Sequence, residues 1–149
     1  MKFKIESRLA KPVKKYLRRK GFTVQKQEVQ FYDYSMDIYA FSEKNDLTVA
    51  VELKLNRWRR ALEQAIIYQL CADAVFIALP SEGCRKVDRS LLLEHGVGLI
   101  GVSERGYCRQ LVKPGISSVV NRVYRTEHIT LLRGKKNVNA KSQDAAPIW

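Results

Sequence analysis

An α/β fold built on a mixed sheet is predicted by three features of the sequence. The chain opens on a basic amphipathic segment, switches to strict alternation over three successive runs, and then carries a continuous apolar run, Ala74 to Leu79, between two segments of helical spacing. Runs of alternating and helical period in this order specify a sheet covered by helices. With 149 residues, 46% apolar and 28% charged, the chain has the material for one hydrophobic core. Residues 1 to 133 read as a single domain and residues 134 to 149 as a polar tail, with Trp149 as its candidate docking residue.

Each element has its own signal. Residues 3 to 20 place Phe3, Leu9, Val13, Tyr16 and Leu17 on one helical face, and Gly21 is the stop; Pro12 inside the segment lacks an N–H and threatens to kink or split it. From Phe22 the period becomes two, through Val24, Val29 and Phe31, then Met36, Ile38 and Ala40, then Leu47, Val49, Val51 and Leu53. These are three strands, the last two joined by a hairpin turning at Lys44 and Asn45. Residues 57 to 71 return to helical spacing. Ala74 to Leu79 reads as a strand covered on both faces. A helix over 82–94, a strand over 97–102, an edge strand over 107–112 and a last helix over 117–133 complete the order.

Several function classes are excluded by composition. No apolar run approaches the roughly 20 residues of a membrane helix and no apolar leader follows the basic start, so the expectation is a soluble, cytoplasmic protein without membrane partners. Cys71, Cys84 and Cys108 are scattered, which argues against a zinc site or a disulfide framework. The net charge is +12, and it is confined to the ends. Residues 1 to 20 hold nine basic side chains against Glu6, residues 121 to 149 hold six against Glu127 and Asp144, and the middle balances twelve against twelve. Such a distribution is an electrostatic footprint for a polyanion, with nucleic acid first among the candidates and a merely soluble basic surface as the alternative.

The chemistry concentrates at Val51-Glu52-Leu53-Lys54. Side chains two apart on a strand share a face, so Glu52 and Lys54 project together. If the hairpin is symmetric about Lys44 and Asn45, opposed residues have numbers summing to 89, and Asp37 falls opposite Glu52. Their β-carbons would stand roughly 4.5–5.5 Å apart, close enough for both carboxylates to share a divalent cation. Without a cation the pairing is unfavourable, since like charges opposed across a ladder destabilise it. Lys54 compensates in part; Mg²⁺ would do so more fully. The alternative is an exposed strand face carrying incidental charges.

Asp37, fourteen intervening residues and then Glu52-Leu53-Lys54 resemble the motif of the PD-(D/E)XK nuclease superfamily, and the element order to about residue 80 is similar to its αβββαβ core. The resemblance implies a restriction-endonuclease-like three-layer sandwich, a mixed central β-sheet flanked by helices. It implies that Asp37 and Glu52 bind Mg²⁺, with Mn²⁺ able to substitute, and that Lys54 assists the attacking water. An acid on the first helix is a common further ligand in that family, and Glu6 occupies the position. Gln64 and Tyr68, four apart on the following helix, match a pair that many members carry, with Gln64 in the catalytic set and Tyr68 toward the phosphate backbone. Met36 stands where the family's nominal proline would be.

Nucleic-acid contacts are expected from Lys11, Lys14 and Lys15 on the first helix and from Arg57 and Arg60, three apart and therefore on one face just after the ExK strand. Trp58 reads as packing. Tyr32, Tyr34 and Tyr39 lie on half-buried strands, where tyrosines pack more often than they stack on bases. The function expected is a Mg²⁺-dependent deoxyribonuclease, structure-selective or weakly sequence-specific. The rival is a non-catalytic or partner-dependent nucleic-acid-binding module on the same fold. DNA is the expected partner, with a homodimer and a protein that directs substrate choice as further candidates.

Overall fold

The computed structural model describes residues 6–134. A six-stranded sheet runs in the order β1 (Val24–Phe31), β2 (Tyr34–Ser42), β3 (Leu47–Leu53), β4 (Ala74–Pro80), β5 (Gly98–Val102) and β6 (Cys108–Val112). The first three strands form an antiparallel meander, β3, β4 and β5 are parallel, and β6 returns antiparallel. Parallel neighbours need a crossover, and α2 (Trp58–Tyr68) supplies it between β3 and β4.

Alternation along the strands divides the core into two apolar layers, one on each face of the sheet. On one face Leu9, Val13 and Leu17 of the first helical segment meet Ile38, Val49, Val51, Phe76 and Ile100. On the other, Ala61, Leu62, Ala65 and Tyr68 of α2 meet Met36, Tyr39, Ala50, Val75 and Ile77. The molecule is thus an α/β structure with a mixed sheet flanked by helices. Helix α4 (Arg122–Arg133) packs on the α2 face beside β1 and β2, pinned by Arg125, which donates to Asp73 Oδ2 at 3.0 Å and Asp46 Oδ1 at 3.0 Å. Asp73 Oδ2 also accepts from the Thr48 backbone N–H at 2.8 Å, so this buried carboxylate is satisfied from two elements, β3 and α4.

Three boundaries differ from the sequence reading. From residue 6 the first helical segment is a 3₁₀ turn, Glu6–Leu9, followed by α1 (Ala10–Arg19); the expected start at residue 3, with Phe3, lies outside the described residues. Pro12 therefore lies in the first turn of α1, where its missing N–H has no intrahelical acceptor to lose. The helix expected over 82–94 is a 3₁₀ segment, Ser81–Lys86, followed by the short helix α3 (Arg89–His95). Asp88 separates them by accepting from the Leu91 N–H at 3.2 Å, which caps a new start. The last helix starts at residue 122 instead of 117, because Asn121 Oδ1 accepts from the N–H groups of Val123 and Tyr124. The tail expected from 134 onward and the docking of Trp149 lie outside the described residues, apart from Gly134. No helix among the described residues is long and apolar enough to cross a membrane.

Candidate active site at the fork between β2 and β3

The hairpin register is the expected one: Ser42 opposes Leu47, Ala40 opposes Val49 and Ile38 opposes Val51. Pairing between β2 and β3 stops there. Beyond it β2 continues against β1 as far as Tyr34, and β3 continues against β4 as far as Leu53. The sheet therefore forks, and the next two positions in register, Asp37 and Glu52, flank the opening. At the fork Asp37 Oδ2 accepts the Leu53 N–H at 2.7 Å, a side chain taking up a backbone donor that the diverging strand no longer meets.

Glu52 shares its strand face with Ala50 and so points into the α2 layer, where it is buried at 3% exposure. Tyr68, on α2, donates its hydroxyl to Glu52 Oε1 at 2.9 Å. Lys54 Nζ lies 3.7 Å from Glu52 Oε2 and 4.0 Å from Glu6 Oε1. The ammonium thus bridges the 3₁₀ turn to the strand. Glu6, Glu52, Lys54 and Tyr68 are directly connected, and Asp37 adjoins them through the register and its bond to Leu53.

The electrostatics fit a site that lacks positive charge. Burial, then the charge of Asp37, pushes the Glu52 carboxyl up to about 7, against the opposing pull of Tyr68 and Lys54. The Asp37 carboxyl is also raised, chiefly by burial, although its bond from Leu53 and the charge of Lys54 work the other way. Lys54 alone does not neutralise the pair. On α2, Gln64 Oε1 is buried without a hydrogen-bond partner, one turn before Tyr68 on the same helix face. Among the described residues no group of three or more His, Cys, Asp or Glu is arranged to hold a metal. The donor set is instead two carboxylates at the fork, and hard oxygen ligands of that number are what Mg²⁺ takes when water and phosphate complete its shell.

One expected role is corrected. Tyr68 is fully buried and engaged with Glu52, so it positions the carboxylate from within the core and does not contact a phosphate backbone. Arg57 and Arg60 are exposed at the start of α2, directly after the site, and Arg57 has a left-handed backbone with φ of 58°. Trp58 lies against the guanidinium of Arg59 at 4.5 Å. Lys11, Lys14 and Lys15 do not enter the fork; with Arg18 and Arg19 they line a groove of about 490 Å³ along α1. Tyr39 packs in the core, whereas Tyr32 is exposed.

Two features of the site were not foreseen. The Tyr68 hydroxyl contact had a signal in the helical spacing but needed the burial of Glu52 to direct it inward. Glu28 had none: it lies between Gln27 and Val29, whose register partners Ile38 and Met36 flank Asp37, its backbone is left-handed with φ of 53°, and its charge contributes to raising the Asp37 carboxyl.

No protein-family model matches the chain, and no curated protein matches it. A solved structure similar to it is the SPO1766 protein of unknown function from Silicibacter pomeroyi, with 20% sequence identity and a TM-score of 0.66, covering 90% of this chain and 87% of that one. At this identity the likeness is one of fold.

Proposed function

We propose that the chain is a metal-dependent nuclease that hydrolyses DNA phosphodiester bonds, with a restriction-endonuclease-like fold of the PD-(D/E)XK type. The observation that carries this reading is the fork itself, where Asp37 and Glu52 flank the opening, close enough for the Asp37 charge to act on Glu52, and Lys54 Nζ lies 3.7 Å from Glu52. A buried Glu52 and a half-buried Asp37 whose carboxyls are held above their ordinary range are costly for stability, and a divalent cation bound between them would offset that cost.

Asp37 and Glu52 would hold Mg²⁺ or Mn²⁺, with Glu6 close enough to Lys54 to join through water. When bound, the cation supplies charge neutralisation at the phosphate and makes a neighbouring water more acidic. The rest falls to the chain. Lys54 holds the scissile phosphate or the attacking water as a point charge. Tyr68 fixes the Glu52 carboxylate by its hydrogen bond, and the unpaired Gln64 Oε1 is an acceptor available for a water of the site. Arg57 and Arg60 meet the flanking phosphates, and the α1 groove engages a more distant stretch of backbone. One small domain leaves little surface for reading a long sequence, which favours structure-selective or weakly specific cutting.

The test is to incubate wild-type protein and Glu52→Gln with labelled duplex, single-stranded and four-way-junction DNA in Mg²⁺, Mn²⁺ or EDTA. Metal-dependent cleavage by the wild type and none by the variant is the expected result. Binding without cleavage in every lane would replace this reading with a non-catalytic or partner-dependent binding module.

A further inference from the structure

The turn between β1 and β2 is made by Tyr32 and Asp33, and Tyr32 occupies it in an unusual way. Its backbone is left-handed with φ of 53°, a region that two-residue hairpins normally fill with Gly or Asn and that a bulky residue rarely enters. Its side chain is not hidden in exchange, because the residue is 65% exposed. Yet the ring is fixed. Phe31 meets it edge-on with centroids 5.0 Å apart, Tyr124 of α4 meets it at 5.7 Å and an interplanar angle of 89°, and the Tyr32 and Tyr124 hydroxyls are hydrogen-bonded. Neither neighbour stacks parallel on it. The result is a large aromatic group locked in place and open to solvent.

Its position ties it to the fork. Tyr34, two residues on, packs edge-on against Tyr68 with centroids 6.3 Å apart, and Tyr68 is the residue that holds Glu52. Asp37 lies five residues from Tyr32 along the chain, a span of roughly 17 Å, so Tyr32 stands on the α4 side at the β1–β2 turn, within reach of a strand that passes over the fork.

We propose that Tyr32 is a stacking platform for an unpaired nucleobase a few nucleotides away from the scissile phosphate, so that the site takes single-stranded, flapped or frayed DNA in preference to continuous duplex. The inference rests on the nuclease reading and narrows its substrate. A phenol ring offers a face on which any base can stack, whereas bases within a continuous duplex have their faces covered by their neighbours. An exposed ring held at a strained turn is preorganised for such contact, since its rotamer freedom is already lost before the base arrives.

The test uses the full chain with Tyr32→Ala and Tyr32→Phe, their folding checked by circular dichroism and urea unfolding. Fluorescein-labelled oligothymidylate and a blunt duplex are bound in EDTA and followed by anisotropy; a flapped duplex is cleaved in Mg²⁺. Tyr32→Ala should weaken single-strand binding and flap cleavage by roughly 5- to 150-fold, the range of one base–aromatic stack, and leave duplex binding unchanged. Tyr32→Phe should keep most of the binding, because the stacking face and its edge-on contacts with Phe31 and Tyr124 remain and only the hydroxyl bond to Tyr124 is lost. Equal losses on both DNAs, no loss on either, or Tyr32→Phe failing as badly as Tyr32→Ala would each overturn the proposal. If wild type cleaves with metal and Tyr32→Ala is indistinguishable from it, the platform is wrong and the nuclease reading stands. If nothing is cleaved but Tyr32→Ala still loses single-strand binding selectively, the reverse holds.

Discussion

Replacing Glu52 by Gln should make the protein more stable while removing its activity. Burial and the neighbouring Asp37 charge move the Glu52 carboxyl from its ordinary 4.5 to about 7. A group raised in this way binds more protons folded than unfolded, so its stability contribution is fully present below about 4.5 and is lost as pH rises toward about 7. The difference corresponds to about 3 kcal/mol against the ionised form at pH 8, falling to about 1 kcal/mol at pH 5. Glutamine keeps the shape and an acceptor for Tyr68 but carries no charge. In urea unfolding with EDTA, Glu52→Gln should exceed wild type by about 3 kcal/mol at pH 8, or about 10 °C in melting temperature, with most of the gap gone at pH 5. Added Mg²⁺ should raise the wild type and leave the variant unmoved, because only a ligand that binds the folded site shifts stability. A variant no more stable than wild type at pH 8, or a gap independent of pH, would refute the reasoning.

Other positions give independent checks. Tyr68→Phe removes the hydroxyl that favours the ionised Glu52, so the acid limb of the pH profile for DNA cleavage should move to higher pH; an unmoved limb would contradict the assigned contact. Gly98→Ala would set a Cβ 2.6 Å from Phe76 Cδ1 between β4 and β5, and equilibrium unfolding should show a loss of about 1–3 kcal/mol. Lys11→Ala and Lys15→Ala, on the α1 groove, should each lower the slope of log affinity for duplex DNA against log salt by about 0.9 if each meets one phosphate.

What the sequence disclosed follows from the range of the interactions involved. The meander and its register were legible because alternation fixes which face each residue takes and the Lys44–Asn45 turn fixes the pairing; Ile38 duly opposes Val51. Glu52 and Lys54 on one face followed from the same periodicity. The break at Asp88 was local and could have been read from the residue type, but the apolar spacing on either side masked it. The fork was not legible. It depends on β2 following β1 while β3 follows β4, and with it came the bond from Leu53 to Asp37. Likewise Arg125 and Asp73 are 52 residues apart and meet only once α4 has packed. The left-handed backbones at Glu28 and Tyr32 carry no sequence mark at all, since neither residue type favours that region.

The central claim is that Asp37 and Glu52 together hold a divalent cation. Mn²⁺ binding to the wild type, Asp37→Asn and Glu52→Gln, followed by electron paramagnetic resonance and titration calorimetry, addresses it without any assumption about substrate. The account requires saturable Mn²⁺ binding by the wild type, competed by Mg²⁺ and lost in both variants. Undiminished Mn²⁺ binding in Asp37→Asn and Glu52→Gln, or none in the wild type with or without DNA, would contradict it.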